Sequence, residues 1–212
     1  METIIHYGSF WFISSPIYWI LCKINLVIIN WGCSIIILTI LIKFILLPLS
    51  YISYKTIIKI RKIKPILNNI ENKYKKDKKK LTKELIKIYT KEKINPFNSC
   101  LPIIIQTPIF LSLYWTLTKS IELKNSPFIL WIKDLSLMDP YFILPITMGL
   151  SILIQQKINN KENKKTNIIK ILPILFTLFF LWFPSCLLIY WITNNVISII
   201  QQYLIIKNYE EK

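Results

Sequence analysis

"WGCSIIILTILIKFILLPLSYISY", Trp31 to Tyr54, holds a single charged side chain, Lys43, in a run long enough to cross the hydrocarbon core of a bilayer. A soluble helix of this length shows a polar face; this one does not. The charge is the anomaly. In lipid a central lysine costs roughly 2.5–3.5 kcal/mol on insertion scales. Lys55 follows about a dozen residues later, roughly 18 Å along a helix, farther than a lysine side chain can snorkel. Thr39 lies one turn before Lys43 on the same face, and Pro48 cannot donate to the carbonyl of Phe44, which loosens the helix on the other side. Two readings fit: a tolerated snorkelling charge, or a wet recess that could attract acidic or polar polypeptide groups.

Outward from this run the chain keeps the same character. It has 212 residues, 53% of them apolar, three glycines and a formal charge of +16. There is no alanine, and Arg61 is the only arginine, a pattern an A/T-rich coding sequence would impose, so residue class is a better guide than identity. Four more runs are expected to span: Phe97 to Lys119, Tyr141 to Lys157, Ile168 to Phe183, and Ser185 to Ile206. Pro184 in "WFPS" reads as a tight turn between the last two. Ser9 to Ile29 fits an amphipathic helix in the outer interface, anchored by Trp11, Tyr18 and Trp19, or a sixth span interrupted by Pro16, Lys23 and Asn25.

Lysine placement gives the expected orientation. The Lys55 to Lys93 segment and the gap holding Lys157, Lys161, Lys164, Lys165 and Lys170 are basic and predict the cytoplasmic side. In the other gap Lys124 and Lys133 are set against Glu122, Asp134 and Asp139. Five spans then put the N-terminus outside and the C-terminus in the cytoplasm. Between Lys55 and Ile94, Ile63, Ile66, Leu67, Ile70 and Tyr74 recur at helical spacing, as do Leu81, Leu85, Ile88 and Tyr89 after "KKDKKK". This predicts an antiparallel helical hairpin with lysines outward. A plain solvated hairpin and a basic arm for RNA, ribosome or anionic lipid are equally compatible with it.

Chemistry by covalent or metal catalysis has little to work with. The five runs contain no Asp or Glu, His6 is the only histidine, and Gly8, Gly32 and Gly149 form no phosphate loop. No cofactor or metal is expected, and the chain reads as a non-enzyme. Cys22, Cys33, Cys100 and Cys186 read as small apolar side chains, with a Cys33–Cys186 bridge as a minor alternative. The informative polar residues lie inside the spans: Ser34, Thr39 and Lys43; Gln106 and Thr107; Gln155 and Gln156; and Thr193, Asn194, Asn195, Ser198, Gln201 and Gln202. Lipid-facing helices do not gather amides, because an unpaired buried polar group costs a few kcal/mol. Interhelical hydrogen bonding and a shared wet pocket both account for them.

The stretches "YGSFWFISSPIYWI", "NWGCSIIILTILIKFILLPLSYISYKT", "KEKINPFNSCLPIIIQTPIFLSLYWTL", "SPFILWIKDLSLMDPYFILPI" and "LFFLWFPSCLLIYWITNNVISIIQQYLI", in this order, resemble the membrane core of the YidC/Oxa/Alb family of insertases. The resemblance implies an all-α membrane protein of five spans around a hydrophilic groove open to the cytoplasm, with an interfacial amphipathic helix before the first span and a cytoplasmic helical hairpin. It implies help in inserting and folding inner-membrane proteins, alone or with the Sec translocon. Expected partners are nascent membrane proteins, the Sec translocon, ribosome or targeting factors through the basic hairpin, and anionic lipids. The expected segments are 1–30 (outer tail and interfacial helix), 31–206 (core, with the hairpin at 55–94) and 207–212 (cytoplasmic tail).

Residue by residue, Lys43 falls where the family usually carries a groove arginine, and Gln106 and Trp182 match groove-region positions. With the amides Asn194 and Asn195 they make the expected substrate groove. Thr39 and Trp191 match a polar–aromatic pair linked to core stability, to which Pro48 is added. Lysine lacks arginine's planar fork, and Trp191 replaces a tyrosine whose hydroxyl would reach Thr39. The matching stretches leave out the extra anchor and large periplasmic domain with which many Gram-negative relatives begin. The rival readings are a small transporter or channel with Lys43 as selectivity charge, and a structural assembly subunit.

Overall fold

A computed structural model describes residues 11–75, 77–159 and 167–210. Lys161, Lys164, Lys165 and His6 lie outside the described residues. Among those described, eight α-helices follow one another: α1 (Trp11–Ile28), α2 (Trp31–Ile45), α3 (Leu47–Lys73), α4 (Lys78–Lys91), α5 (Leu101–Lys119), α6 (Ile143–Asn159), α7 (Asn167–Phe180) and α8 (Ser185–Glu210), with short 3-10 turns at Pro96–Ser99 and Ile121–Leu123. The fold is all-helical. By length and apolarity α1 and α5 suffice to cross a membrane, α2 with α3 qualifies as one bent pair, and α6 is a shorter apolar helix.

The helix boundaries correct the expected Trp31 to Tyr54 span. The run breaks at Leu46, and α3 starts anew at Leu47 with Pro48 in its first turn, where a missing N–H costs nothing. Ser50 N–H returns to Leu46 C=O at 3.0 Å to begin the new helix. α1 is itself long and apolar enough to span, so composition does not distinguish the two expectations for Ser9 to Ile29. All four cysteines are free, which removes the Cys33–Cys186 bridge.

The chain divides into two compact units. One holds the segments up to Ile45 and Gln106–Ile200. Its main core joins Ile17 and Leu21 of α1, Ile35 and Leu38 of α2, Leu113 and Leu117 of α5, and Leu187 and Tyr190 of α8. Loop residues Ile132 and Leu135 complete it. Gly32 is needed there: a Cβ would run into the Phe128 ring, so the loop after α5 seats on α2 only because residue 32 has no side chain. Asn30 holds the same joint, accepting from Cys33 N–H at 3.0 Å and donating to Phe128 C=O at 3.3 Å. α6 and α7 pack against each other at a second glycine, since a Cβ on Gly149 would meet Thr177.

The second unit holds residues from Leu46 to Ile105 and from Gln201 onward. Here α3 and α4 fold back on each other, with Ile63, Leu67 and Ile94 buried and Leu85, Ile88 and Tyr89 packed against them. This is the hairpin that the spacing predicts, except that Ile66 stays exposed. Asp77 caps α4 by accepting from Lys80 N–H at 3.1 Å. Lys62 lies 5.0 Å from the Tyr209 ring centre, bringing the end of α8 against α3.

Candidate functional site

The first unit contains a polar band in its otherwise apolar helices. Lys43 is 7% exposed, and its Nζ donates to Ser198 Oγ at 2.7 Å. The Ser198 hydroxyl donates onward to Asn194 C=O at 2.7 Å. That donation uses the hydroxyl proton and turns an oxygen lone pair toward the ammonium. The acceptor thus presented to the buried cation is neutral. One residue along α8, Asn195 is buried and its Nδ2 donates to Ser151 Oγ of α6 at 2.9 Å. Successive residues on a helix point about 100° apart, so Asn194 and Asn195 serve different sides of α8.

The other expected site residues are spread along the fold. Gln106 Nε2 donates to the Tyr190 hydroxyl, which is buried. Tyr190 lies eight residues before Ser198, about 12 Å along α8. Gln106 and Lys43 therefore engage different levels of the same helix. Thr39 is buried and donates to Ile35 C=O at 2.7 Å, within its own helix. Trp191 packs edge-on to Phe110 with ring centres 5.0 Å apart and against Phe180 at 5.5 Å. Trp182 is 71% exposed on the turn between α7 and α8. Thr39 and Lys43 are buried on one face of α2, and Pro48, in the second unit, is exposed.

Three residues that matter were not placed at the expected site: Ser198 was named only among the polar residues of the last span, Asp139 only as a charge, and Ser151 not at all. Ser198 is the partner of Lys43, and the signal for it is its i+4 spacing from Asn194. Ser151 faces Asn195 and has no such local signal. Asp139 was counted only as a balancing charge, yet it is wholly buried. It accepts from Trp131 Nε1 at 2.9 Å, from Tyr141 N–H at 3.1 Å and from Leu144 N–H at 2.7 Å. It thereby caps α6 and folds the preceding loop. Nearby Asp134 is pushed up by partial burial, but hydrogen bonds from the Ser136 hydroxyl and N–H and from Asn125 outweigh this and hold it below its ordinary value.

Apolar helices of spanning length, with a lysine and amides gathered inside them, define an all-helical membrane protein with an internal polar site. Residues 23–212 match the family model described as 60Kd inner membrane protein, and the chain belongs to that family. It is similar to "Membrane protein insertase YidC" of Marinomonas sp. (strain MWYL1), 46% identical over all of this chain and 39% of that protein. It is similar also to the protein of that name from Pseudomonas fluorescens (strain SBW25), 47% identical over 99% of this chain and 38% of the relative. The chain thus spans about two fifths of the length of these relatives. Among solved structures, "Active YidC insertase crystal structure with the first transmembrane domain resolved" superposes with a TM-score of 0.77 at 26% identity, covering 92% of this chain and 47% of that one.

Proposed function

We propose that this chain is the core of a membrane protein insertase, which shortens the lipid path for the hydrophilic tail of an incoming segment. The observation that carries the reading is the buried Lys43 ammonium seated on a neutral hydroxyl. Among the described residues no carboxylate pairs with this cation, and a substrate carboxylate would supply a countercharge. The substrate's apolar segment then moves into lipid, driven by burial of its apolar surface, with no covalent step. Lys43 and Asn194 lie on the side met by the tail, and Asn195 ties the other side of α8 to α6 through Ser151. Gln106 acts at another level of a groove open to the cytoplasm, Trp182, expected there too, lies instead on the exposed turn between α7 and α8, and Thr39, Trp191 and Pro48 support the frame.

The same reading takes five spans, α2 with the start of α3, then α5, α6, α7 and α8, with α1 lying in the outer interface. The three segments 1–30, 31–206 and 207–212 follow, with the N-terminus outside and the hairpin at 55–94 in the cytoplasm. Partners are nascent membrane proteins, with the Sec translocon, the ribosome or targeting factors, and anionic lipids engaged through exposed lysines. The names carried by the relatives support this reading.

The test is insertion of a substrate with an acidic N-terminal tail into vesicles carrying Lys43→Arg, Lys43→Ala or Lys43→Glu. Arginine should retain insertion, alanine reduce it and glutamate abolish it. If Lys43→Glu matches the unsubstituted chain, the electrostatic role is wrong. Solute flux through the same vesicles would favour a channel instead.

A further inference from the structure

The described lengths of α6 and α7 are short for membrane helices, and residues 160–166 between them are polar in sequence and add no apolar length. Their 17 and 14 residues rise about 25 and 21 Å, against about 30 Å of hydrocarbon core. Leu144 and Met148 near the start of α6 cluster with Phe176 and Phe180 near the end of α7, so the two run antiparallel and share one end. Beyond that end the chain is not helical, yet large apolar side chains remain exposed. Leu137 is 61% exposed, and Met138, Tyr141, Phe142 and Trp182 are exposed as well. They continue the outward face that Ile143, Ile146 and Leu150 present on α6. Phe142 holds a positive φ of 55°, a conformation costly for a bulky residue and retained where the surroundings fix it.

Non-helical backbone can enter lipid only if its polar groups are paired within the protein. In this segment they are extensively tied up. Leu137 C=O accepts from both the N–H and the hydroxyl of Ser185, each at 2.8 Å, and Leu135 C=O accepts from Cys186 N–H at 3.0 Å. Phe142 N–H donates to Asp139 C=O at 3.2 Å, and the buried Asp139 carboxylate takes up Tyr141 and Leu144 N–H. Pro140 and Pro184 have no N–H to satisfy. Tyr141 and Trp182 are the ring types that settle at headgroup level, and Lys124 and Lys133 on the same loop are exposed cations suited to lipid phosphates.

We infer that residues 137–142 with Trp182 form a lipid-immersed collar, a non-helical extension of α6 and α7 that occupies the acyl–headgroup boundary of one leaflet. The occupant of this surface is phospholipid. The collar makes up part of the apolar length that the two helices lack. It rests on the membrane-spanning reading above but is independent of any role for Lys43.

The full chain carrying photoreactive benzoylphenylalanine at Met138 or Trp182 tests this in vesicles of phosphatidylethanolamine and phosphatidylglycerol. Leu150 on the α6 face is the positive control and exposed Asn125 the negative one. Lipid adducts at Met138 and Trp182 should match the yield at Leu150 and stand well above that at Asn125. Yields no higher than at Asn125 overturn the collar, as do protein adducts replacing lipid ones at these sites in native membranes. Failure at Leu150 as well overturns the membrane-spanning reading itself. A Leu137→Ser/Met138→Ser chain adds a second readout, thermal unfolding across lipids of graded acyl length. Its optimum should move to shorter chains, whereas a uniform loss with an unmoved optimum overturns the inference.

Discussion

Where α2 and α8 begin, at Trp31 and Ser185, almost everything around them is apolar and interlocked; twelve residues along each, at Lys43 and near Ser198, the same helices carry a cation, amides and hydroxyls. Twelve residues are about 18 Å. The first level is held by Phe128 over Gly32, by the Asn30 joint, and by Ser185 on the Leu137 carbonyl. The second carries bonds between side chains, Lys43 to Ser198 and Asn195 to Ser151. A neutral bond of this kind contributes about 1 kcal/mol net, and one to a charged group roughly 1.5–3 kcal/mol. One level is tied by packing and bonds to backbone carbonyls, the other by bonds between side chains.

The difference can be broken most forcefully at Asp139. Asp139→Ala leaves the Trp131 indole and two backbone N–H groups without their acceptor and should cost about 3 kcal/mol or more of stability, read by thermal unfolding. A loss within about 0.5 kcal/mol, the scale of an ordinary surface change, would show that the loop is not fixed from this point. Ser198→Ala should cost about 2 kcal/mol, and the cost should shrink in a Lys43→Met background, because the Lys43 pair is then already gone while the Asn194 contact is not. Its distinguishing readout is chemical: Lys43 freed from Ser198 should react faster with an amine-directed reagent. Unchanged reactivity would mean Ser198 does not hold the ammonium.

The smallest expected effect is at Asp134. Its folded value is depressed, so the stability it contributes is present above the ordinary carboxylate pKa of about 3.9 and fades as pH falls through the folded value. Asp134→Asn should flatten the acid side of the stability profile below about pH 4 and leave neutral pH nearly unchanged. An acid limb identical in both chains would assign the loss to other carboxylates.

What could be read in the sequence was what repeats along a helix. The apolar runs, the hairpin spacing and the turn at Pro184 follow from periodicity and proline, and each has a counterpart in the fold. Lys43 stood out because a charge inside an apolar run is visible in one dimension. The break at Leu46 was only half legible: Pro48 weakens a helix, but whether the chain bends or restarts depends on what packs beside it. Ser198 and Ser151 were lost among other polar residues because their importance is set by pairing across 155 and 44 positions of chain. Asp139 was read only as a charge set against Lys124 and Lys133, since two of its three donors come from a loop with no period and the third from the first turn of α6.

The span of the Lys43–Ser198 bond also orders the birth of the molecule. Synthesis delivers Lys43 in the second helix and its hydroxyl partner in the last, 155 residues later. At translation speeds of about 5–20 residues per second, the lysine waits many seconds before that bond can form. During that interval the growing chain is itself a membrane segment carrying a charge whose final seat does not yet exist. Its own biogenesis therefore poses the problem that the proposed activity would solve for others.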